Sequence, residues 1–369
     1  MNKSIIISFC VALVLAACTS APKSYTVTGV VPDAMFNNQY VYMFDYDTRT
    51  NTDSALIVDG KFNFKGSVKS PVIRRLNLNR TTINFILENG GISINMADSE
   101  NIKGTPLNEE LSKYNEEMSA NYATTMAKIT EIEHLEGEEY QKQYDEIVEQ
   151  YFANMEELFT KYVNANINNA LGTFIMWNTG RQISQRNPDL LDNLYAQANE
   201  NIRDFQPLQT LIETNARRKR TAEGMLFTDF TIENGNIDGS RVSLSDYVGN
   251  GKYVLVDFWA SWCGPCIAEK PNLKEVYSQY KGDRFEIVAV AVNDIRENTL
   301  RAIREHNLPW VQIVDAGNIP TTLYGVTGIP HIMLIAPDGT IVARGLRGNA
   351  LKAKVAEVMA ADDDNSCGC

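Results

Sequence analysis

The sequence predicts an α/β C-terminal domain, with a central mixed sheet and helices on both faces. A β-sandwich-like N-terminal domain and a helical segment precede it. Three observations lead there. Short strand-like runs bounded by turn residues occupy the first third of the chain, apolar residues at helical spacing occupy the middle, and near-continuous apolar runs alternate with helical stretches from about residue 222 onward.

The chain opens MNKSIIISFCVALVLAAC. Lys3 gives a charged start, and the apolar run Ile5–Ala17 is shorter than the ~20 residues of a bilayer span. Small residues close it, as in an export signal. Leu15-Ala16-Ala17-Cys18 resembles the bacterial lipobox. Residues 1–17 are therefore expected to be a lipoprotein signal peptide and Cys18 the lipidated first residue of the mature chain. The body is then expected in the cell envelope, lipid-anchored to a membrane and facing the periplasm. No later segment is apolar enough to span a bilayer. The formal net charge of -12 argues against a nucleic-acid partner. The basic run Arg217-Arg218-Lys219-Arg220 reads as a solvated linker between domains.

Residues 24–105 carry the runs YTVTGVV, YVYMFDY, SALIVDGKFNFKG and INFILENGGISINM, with turn signals at Asp59-Gly60 and Asn89-Gly90-Gly91. Strict alternation in Lys61-Phe62-Asn63-Phe64-Lys65 marks a half-buried strand, so a small antiparallel sheet or sandwich is expected. In residues 106–221, Tyr144, Ile147, Tyr151, Met155, Leu158 and Tyr162 fall on one helix face and read as core. Asn187-Pro188 and Gln206-Pro207 punctuate the segment into several helices. In residues 222–362, Tyr253–Trp259, Phe285–Val292, His331–Ile335 and Ile341–Arg344 read as strands, the last two joined by the turn Ala336-Pro337-Asp338-Gly339. Residues 363–369 read as a flexible acidic tail.

Six cysteines are present. Cys10 leaves with the signal and Cys18 carries lipid, so two pairs remain, Cys263 with Cys266 and Cys367 with Cys369. That is too few for a disulfide-stapled scaffold, which points to chemistry. The first pair follows a buried strand and opens a helix. Free amides and the macrodipole there favour a thiolate at Cys263, and Cys266 lies one turn on, within disulfide reach. The chemistry expected is attack by Cys263 on a substrate disulfide and resolution of the mixed disulfide by Cys266. Structural zinc needs two more ligands. His134, His306 and His331 are scattered and no second pair stands beside them, so neither metal nor cofactor is expected.

Residues 253–271, YVLVDFWASWCGPCIAEKP, resemble the active-site region of the thioredoxin superfamily. GVTGIPHIMLIAPDGTIVARGLRG resembles the segment that carries its cis-proline, here Pro330, and its terminal hairpin. From about residue 224 to 362 the chain is similar to the membrane-tethered TlpA/ResA-like branch, with Asn293–Tyr324 in the place of that branch's strand-helix insertion. The resemblance implies a thioredoxin-like fold and a redox-active disulfide between Cys263 and Cys266. It implies that Asp257 helps deprotonate Cys266. Relatives of this branch often have asparagine there, and burying an isolated carboxylate favours its neutral form, which suits a proton acceptor. Glu269 stands where the branch carries an acid near its disulfide, either tuning the thiols or solvated on the helix. Trp262 is expected to shield the disulfide and contact substrate. Pro330, if cis, sets the backbone of Ile329 against the cysteines, where extended peptides pair by strand addition.

Gly264-Pro265 is the thioredoxin dipeptide, and thioredoxin is reducing at about -270 mV against about -120 mV for the oxidant DsbA. The function expected is a membrane-tethered thiol-disulfide oxidoreductase that reduces disulfides of envelope proteins, with apocytochrome c among the branch's substrates. Its electrons come from a membrane donor. A thiol peroxidase is one alternative. Peroxidases of that class place threonine three residues before the reactive cysteine and proline seven before it, where Ala260 and Val256 stand here. The other alternative is a binding lipoprotein whose β domain carries the function. That half resembles a domain of unknown function through DGKFNFKG and FILENGGISI. For Cys367 and Cys369 four roles stand open: a mutual disulfide, a relay to Cys263, a soft-metal site such as Cu(I), or an incidental pair.

Overall fold

The structure, a computed structural model, describes residues 22–366. The expected signal, the lipidation site Cys18 and the pair Cys367 and Cys369 lie outside the described residues. The chain forms two compact units, Met1–Gly180 with Asn193–Pro207, and Arg181–Asp192 with Leu208–Cys369. The second unit thus reaches back beyond the boundary expected at residue 222.

The first unit opens with β1 (Tyr25–Val30), β2 (Tyr40–Asp45), β3 (Thr50–Leu56) and β4 (Lys61–Gly66), then β5 (Val72–Leu78), β6 (Thr81–Leu87), β7 (Gly90–Asn95) and β8 (Asp98–Lys103). They form two four-stranded sheets, ordered β4-β1-β7-β8 and β3-β2-β5-β6. Alternation works as the sequence indicates: Phe62 and Phe64 of β4 are buried while Lys61, Asn63 and Lys65 face out. The β1–β7 pair, however, is parallel. No hairpin joins these strands, since the whole second sheet intervenes, and a long connection leaves strand direction free. Helices α1 (Pro106–Ile132), α2 (Gly137–Ala165) and α3 (Ala170–Asn178) follow. The stripe foreseen on α2 is buried at Met155 and Tyr162, with Phe159 and Val163 beside them. Its earlier members Tyr144, Ile147 and Tyr151 are only half-buried.

The helical segment continues through α4 (Gly180–Arg186), α5 (Pro188–Gln197), α6 (Glu200–Arg203) and α7 (Gln206–Arg220). The basic run is the last turn of α7, not a solvated linker. Its cations lie near the helix C-terminus, where the dipole favours them. Arg217 pairs with Glu213 at 3.4 Å, and Lys219 lies 2.5 Å from Asp189 and 3.0 Å from Asp192.

The second unit adds β9 (Thr231–Ile232), β10 (Val242–Ser243), β11 (Tyr253–Trp259), α8 (Gly264–Tyr280), β12 (Phe285–Ala291) and α9 (Arg296–Glu305). It is completed by β13 (Val311–Ile313), α10 (Ile319–Leu323), β14 (His331–Ile335), β15 (Ile341–Arg344) and α11 (Gly348–Ser366). The five-stranded sheet runs β13-β12-β11-β14-β15. Its first three strands are parallel, and β14 and β15 are antiparallel to their neighbours. Side chains of β11 alternate between two cores. Leu255 and Trp259 join one with residues of α8, α9 and α11. Val254, Val256 and Phe258 join the other, covered by Phe230–Val248 and the short α10. Long helices therefore cover one face, and a β-ribbon segment closes most of the second.

Candidate active site

Strand β11 is the centre of the sheet and runs straight into the cysteines. Its end is tied down on three sides. The Trp259 carbonyl accepts from Val292 N–H at 2.9 Å, and the Ala260 carbonyl accepts from Cys263 N–H at 3.1 Å. Ser261 donates its backbone N–H and its hydroxyl to the Asp294 carboxylate, at 2.6 and 3.0 Å. Asp294 is itself held by Thr299 Oγ1 at 2.9 Å. The loop carrying Cys263 therefore has little freedom.

Cys263 is the N-cap of α8, and its sulfur accepts the N–H of Cys266 at 3.2 Å. In a reduced site that hydrogen bond and the helix dipole both favour a thiolate at Cys263. The two sulfurs are joined here, with an S–S distance of 2.06 Å and a Cα–Cα distance of 5.2 Å. Both residues belong to the apolar core between the sheet and α8. Trp262, by contrast, is 64% exposed, and its indole N–H donates to the Asn293 carbonyl at 3.0 Å. The ring is an anchored apolar surface at the rim.

Asp257 lies between Leu255 and Trp259 on the α8 side of the strand, and it is buried. It is not the isolated carboxylate expected from sequence. Lys270, also buried, places Nζ 2.7 Å from its Oδ2 and 4.1 Å from the centroid of the Trp259 ring. Lys270 lies one helical turn after Cys266 on the same face of α8. The pair is thus a desolvated ion pair in the core between β11 and α8. Sequence reasoning passed over Lys270, although a lysine four residues after the second cysteine was the available signal.

Glu269 turns elsewhere. Its Oε1 accepts from the backbone N–H of Gly348 at 2.8 Å and from Asn272 at 3.1 Å. Gly348 begins α11, so this carboxylate meets the positive end of that helix and ties α8 to it. The thiol-tuning role expected of Glu269 finds no contact in its favour. Ile329-Pro330 is a cis peptide, and Ile329 packs against the core that contains both cysteines. Arg347, unforeseen in the sequence, donates to the Pro330 carbonyl at 2.7 Å.

Residues 224–344 match the AhpC/TSA family, and residues 25–111 match a domain of unknown function, DUF4369. The thiol-disulfide oxidoreductase ResA of Bacillus subtilis (strain 168) is 31% identical over 127 residues, which are 34% of this chain and 69% of that protein. The chain belongs to the ResA-like thiol-disulfide oxidoreductases. ResA of Oceanobacillus iheyensis is 36% identical over 105 residues, 28% of this chain and 54% of that one. The solved thioredoxin domain of a thiol-disulfide oxidoreductase from Bacteroides vulgatus is 36% identical, covers 37% of this chain and 97% of that one, and has a TM-score of 0.33. In this ResA-like enzyme the AhpC/TSA match spans the second unit's five-stranded sheet and its cysteine helix. The N-terminal half is additional, and its match names no chemistry.

Proposed function

We propose that this oxidoreductase reduces disulfides of cell-envelope proteins through Cys263 and Cys266, while tethered to a membrane by lipid on Cys18. The observation that carries the chemistry is Cys263 at the N-cap of α8, bonded to Cys266 and held by a loop fixed through Asp294. In the reduced enzyme the Cys263 thiolate attacks one sulfur of a substrate disulfide. A Cys263–substrate S–S bond forms, the substrate's own S–S bond breaks, and the displaced thiolate takes up a proton. Cys266, giving its proton toward Asp257, then attacks Cys263 Sγ. The second substrate thiol leaves, and the enzyme is oxidised by two electrons. An external dithiol must return them, a membrane donor in the cell. Trp262 and the backbone at Ile329-Pro330 form the docking rim, where an extended substrate adds as a strand. Apocytochrome c is the substrate the family resemblance points to. Ala260 and Val256, standing where a thiol peroxidase needs threonine and proline, support disulfide exchange over peroxide chemistry.

Protein beginning after Cys18 is expected to reduce insulin disulfides with dithiothreitol as donor, and Cys263→Ser to abolish this. Undiminished turnover by that variant would remove the assignment. For the tether, metabolic fatty-acid labelling should mark the wild type and not Cys18→Ala. A wild type that takes up no label refutes it.

A further inference from the structure

Beside the Ile329-Pro330 peptide, within the second unit, lies a cavity of about 630 Å³. Arg181, Arg218, Arg344 and Arg347 line it, with His331 and Ile329. Ile329 also packs against the core that holds Cys263 and Cys266, so the cavity and the redox pair share a wall.

Among the described residues, the hydrogen bonds of the four guanidiniums all go to uncharged acceptors. Arg181 donates to the Thr327 carbonyl at 3.0 Å, and Arg218 to the Ser184 carbonyl at 2.9 Å. Arg344 reaches the carbonyls of Thr221 and Tyr324 at 2.6 and 2.8 Å, and Arg347 that of Pro330 at 2.7 Å. Among the described residues, no carboxylate forms an ion pair with any of the four. Glu223 accepts the backbone N–H of Arg344 at 2.9 Å instead. Lys219, at the same cavity, is already neutralised by its two aspartates.

The cations act on one another. Burial first, and then the charge of Arg218, pull Arg344 down to about 10. Burial, followed by the charges of Arg344, Arg218 and Arg347, pushes His331 down to about 3, so its imidazole is neutral. Capping the last carbonyls of α7 explains one guanidinium, Arg344. It does not explain four around one cavity, in a chain whose net charge is -12. Glu223 also lines the cavity and its charge offsets that of Arg344 in part, so four guanidiniums stand against one carboxylate, and planar guanidiniums match a further carboxylate in bidentate geometry.

We propose that this cavity binds a carboxylate of the peptide substrate, an Asp or Glu side chain close to the substrate's cysteine. A peptide extended along Ile329, with its cysteine at Cys263, carries side chains past the cavity mouth at alternate positions. The proposal rests on the disulfide-exchange reading above and adds the substrate's charge.

The test uses the full-length oxidised chain and two cysteine-free peptides, identical except that Asp and Glu in one are Asn and Gln in the other. Titration calorimetry should show the acidic peptide binding about tenfold tighter, as charge-assisted pairs allow. Added salt should erode the difference, and Arg181→Gln and Arg218→Gln should each reduce it toward one. The same sequences made as disulfides give the second arm, a kcat/KM ratio near ten that falls in both variants. Equal binding of the two peptides, or a preference that survives both substitutions, overturns the proposal. Tighter binding of inorganic phosphate than of the acidic peptide overturns it as well. Selective binding with no reduction of either disulfide supports the cavity as an acidic-peptide site and sinks the redox reading alone.

Discussion

Two opposite charges 2.7 Å apart and almost wholly buried, as in Asp257 and Lys270, each lose several kcal/mol of hydration that only the partner restores. Removing one leaves the other unpaired in the core, at a cost of about 3–5 kcal/mol. Asp257→Asn is therefore expected to lower stability and to slow resolution by Cys266 more than attack by Cys263. These effects have separate origins. The double variant Asp257→Asn, Lys270→Met removes both charges and should regain most of the stability, because an apolar replacement of a buried pair is often neutral or better. Resolution should stay slow, since the proton acceptor is still missing. Denaturant unfolding together with stopped-flow measurement of both steps checks this. Recovery of resolution in the double variant would make the pair structural only.

At the scale of elements, positioning of the cysteines depends on the junction between β11 and α8. Asp294 joins that junction to the start of α9 through Ser261 and Thr299. Asp294→Ala leaves the Ser261 N–H and two hydroxyls to find other partners, a loss of about 1–3 kcal/mol. It should slow insulin reduction about tenfold, because Cys263 is then presented by a loose loop. Asp294→Asn, which keeps one carbonyl acceptor, should fall between. An unaltered rate in Asp294→Ala would show that the helix alone positions the thiol. Much of this element was legible beforehand. The apolar run Tyr253–Trp259 is the observed strand, its neighbours begin where foreseen, and the turn before β15 was readable from Pro337-Asp338-Gly339. Three things were not legible. The edge strand β13 spans three residues, too few for periodicity to register. The β1–β7 pairing joins strands far apart in sequence, about which local alternation is silent. Lys270 reads as one more polar helix residue until Asp257 is seen opposite.

For the whole molecule, the compact unit that holds the cysteines takes in residues before the domain start expected at 222 and the family match at 224, because helices α4 and α7 look like the rest of the helical segment. Only their partners in space reveal where they belong. Arg344 Nη1 donates to the carbonyls of Arg218 and Thr221 and to the Thr221 hydroxyl, at 3.3, 2.6 and 2.9 Å. A fragment starting at Gly224, where the family match begins, discards all three acceptors. It is expected to be about 1–3 kcal/mol less stable than one starting at Leu208, a difference that thermal or denaturant unfolding resolves. Equal stability would show that α7 adds nothing to the unit.

The two units share the chain in an interleaved order, with junctions at 180/181, 192/193 and 207/208. A ribosome delivers residues in one direction. Residues 181–192 therefore emerge well before the sheet they belong with has been made, whereas the first unit is complete once residue 207 is out. The same interleaving bears on inheritance. A single crossover between genes cannot exchange the redox unit for another without dividing one of the two units.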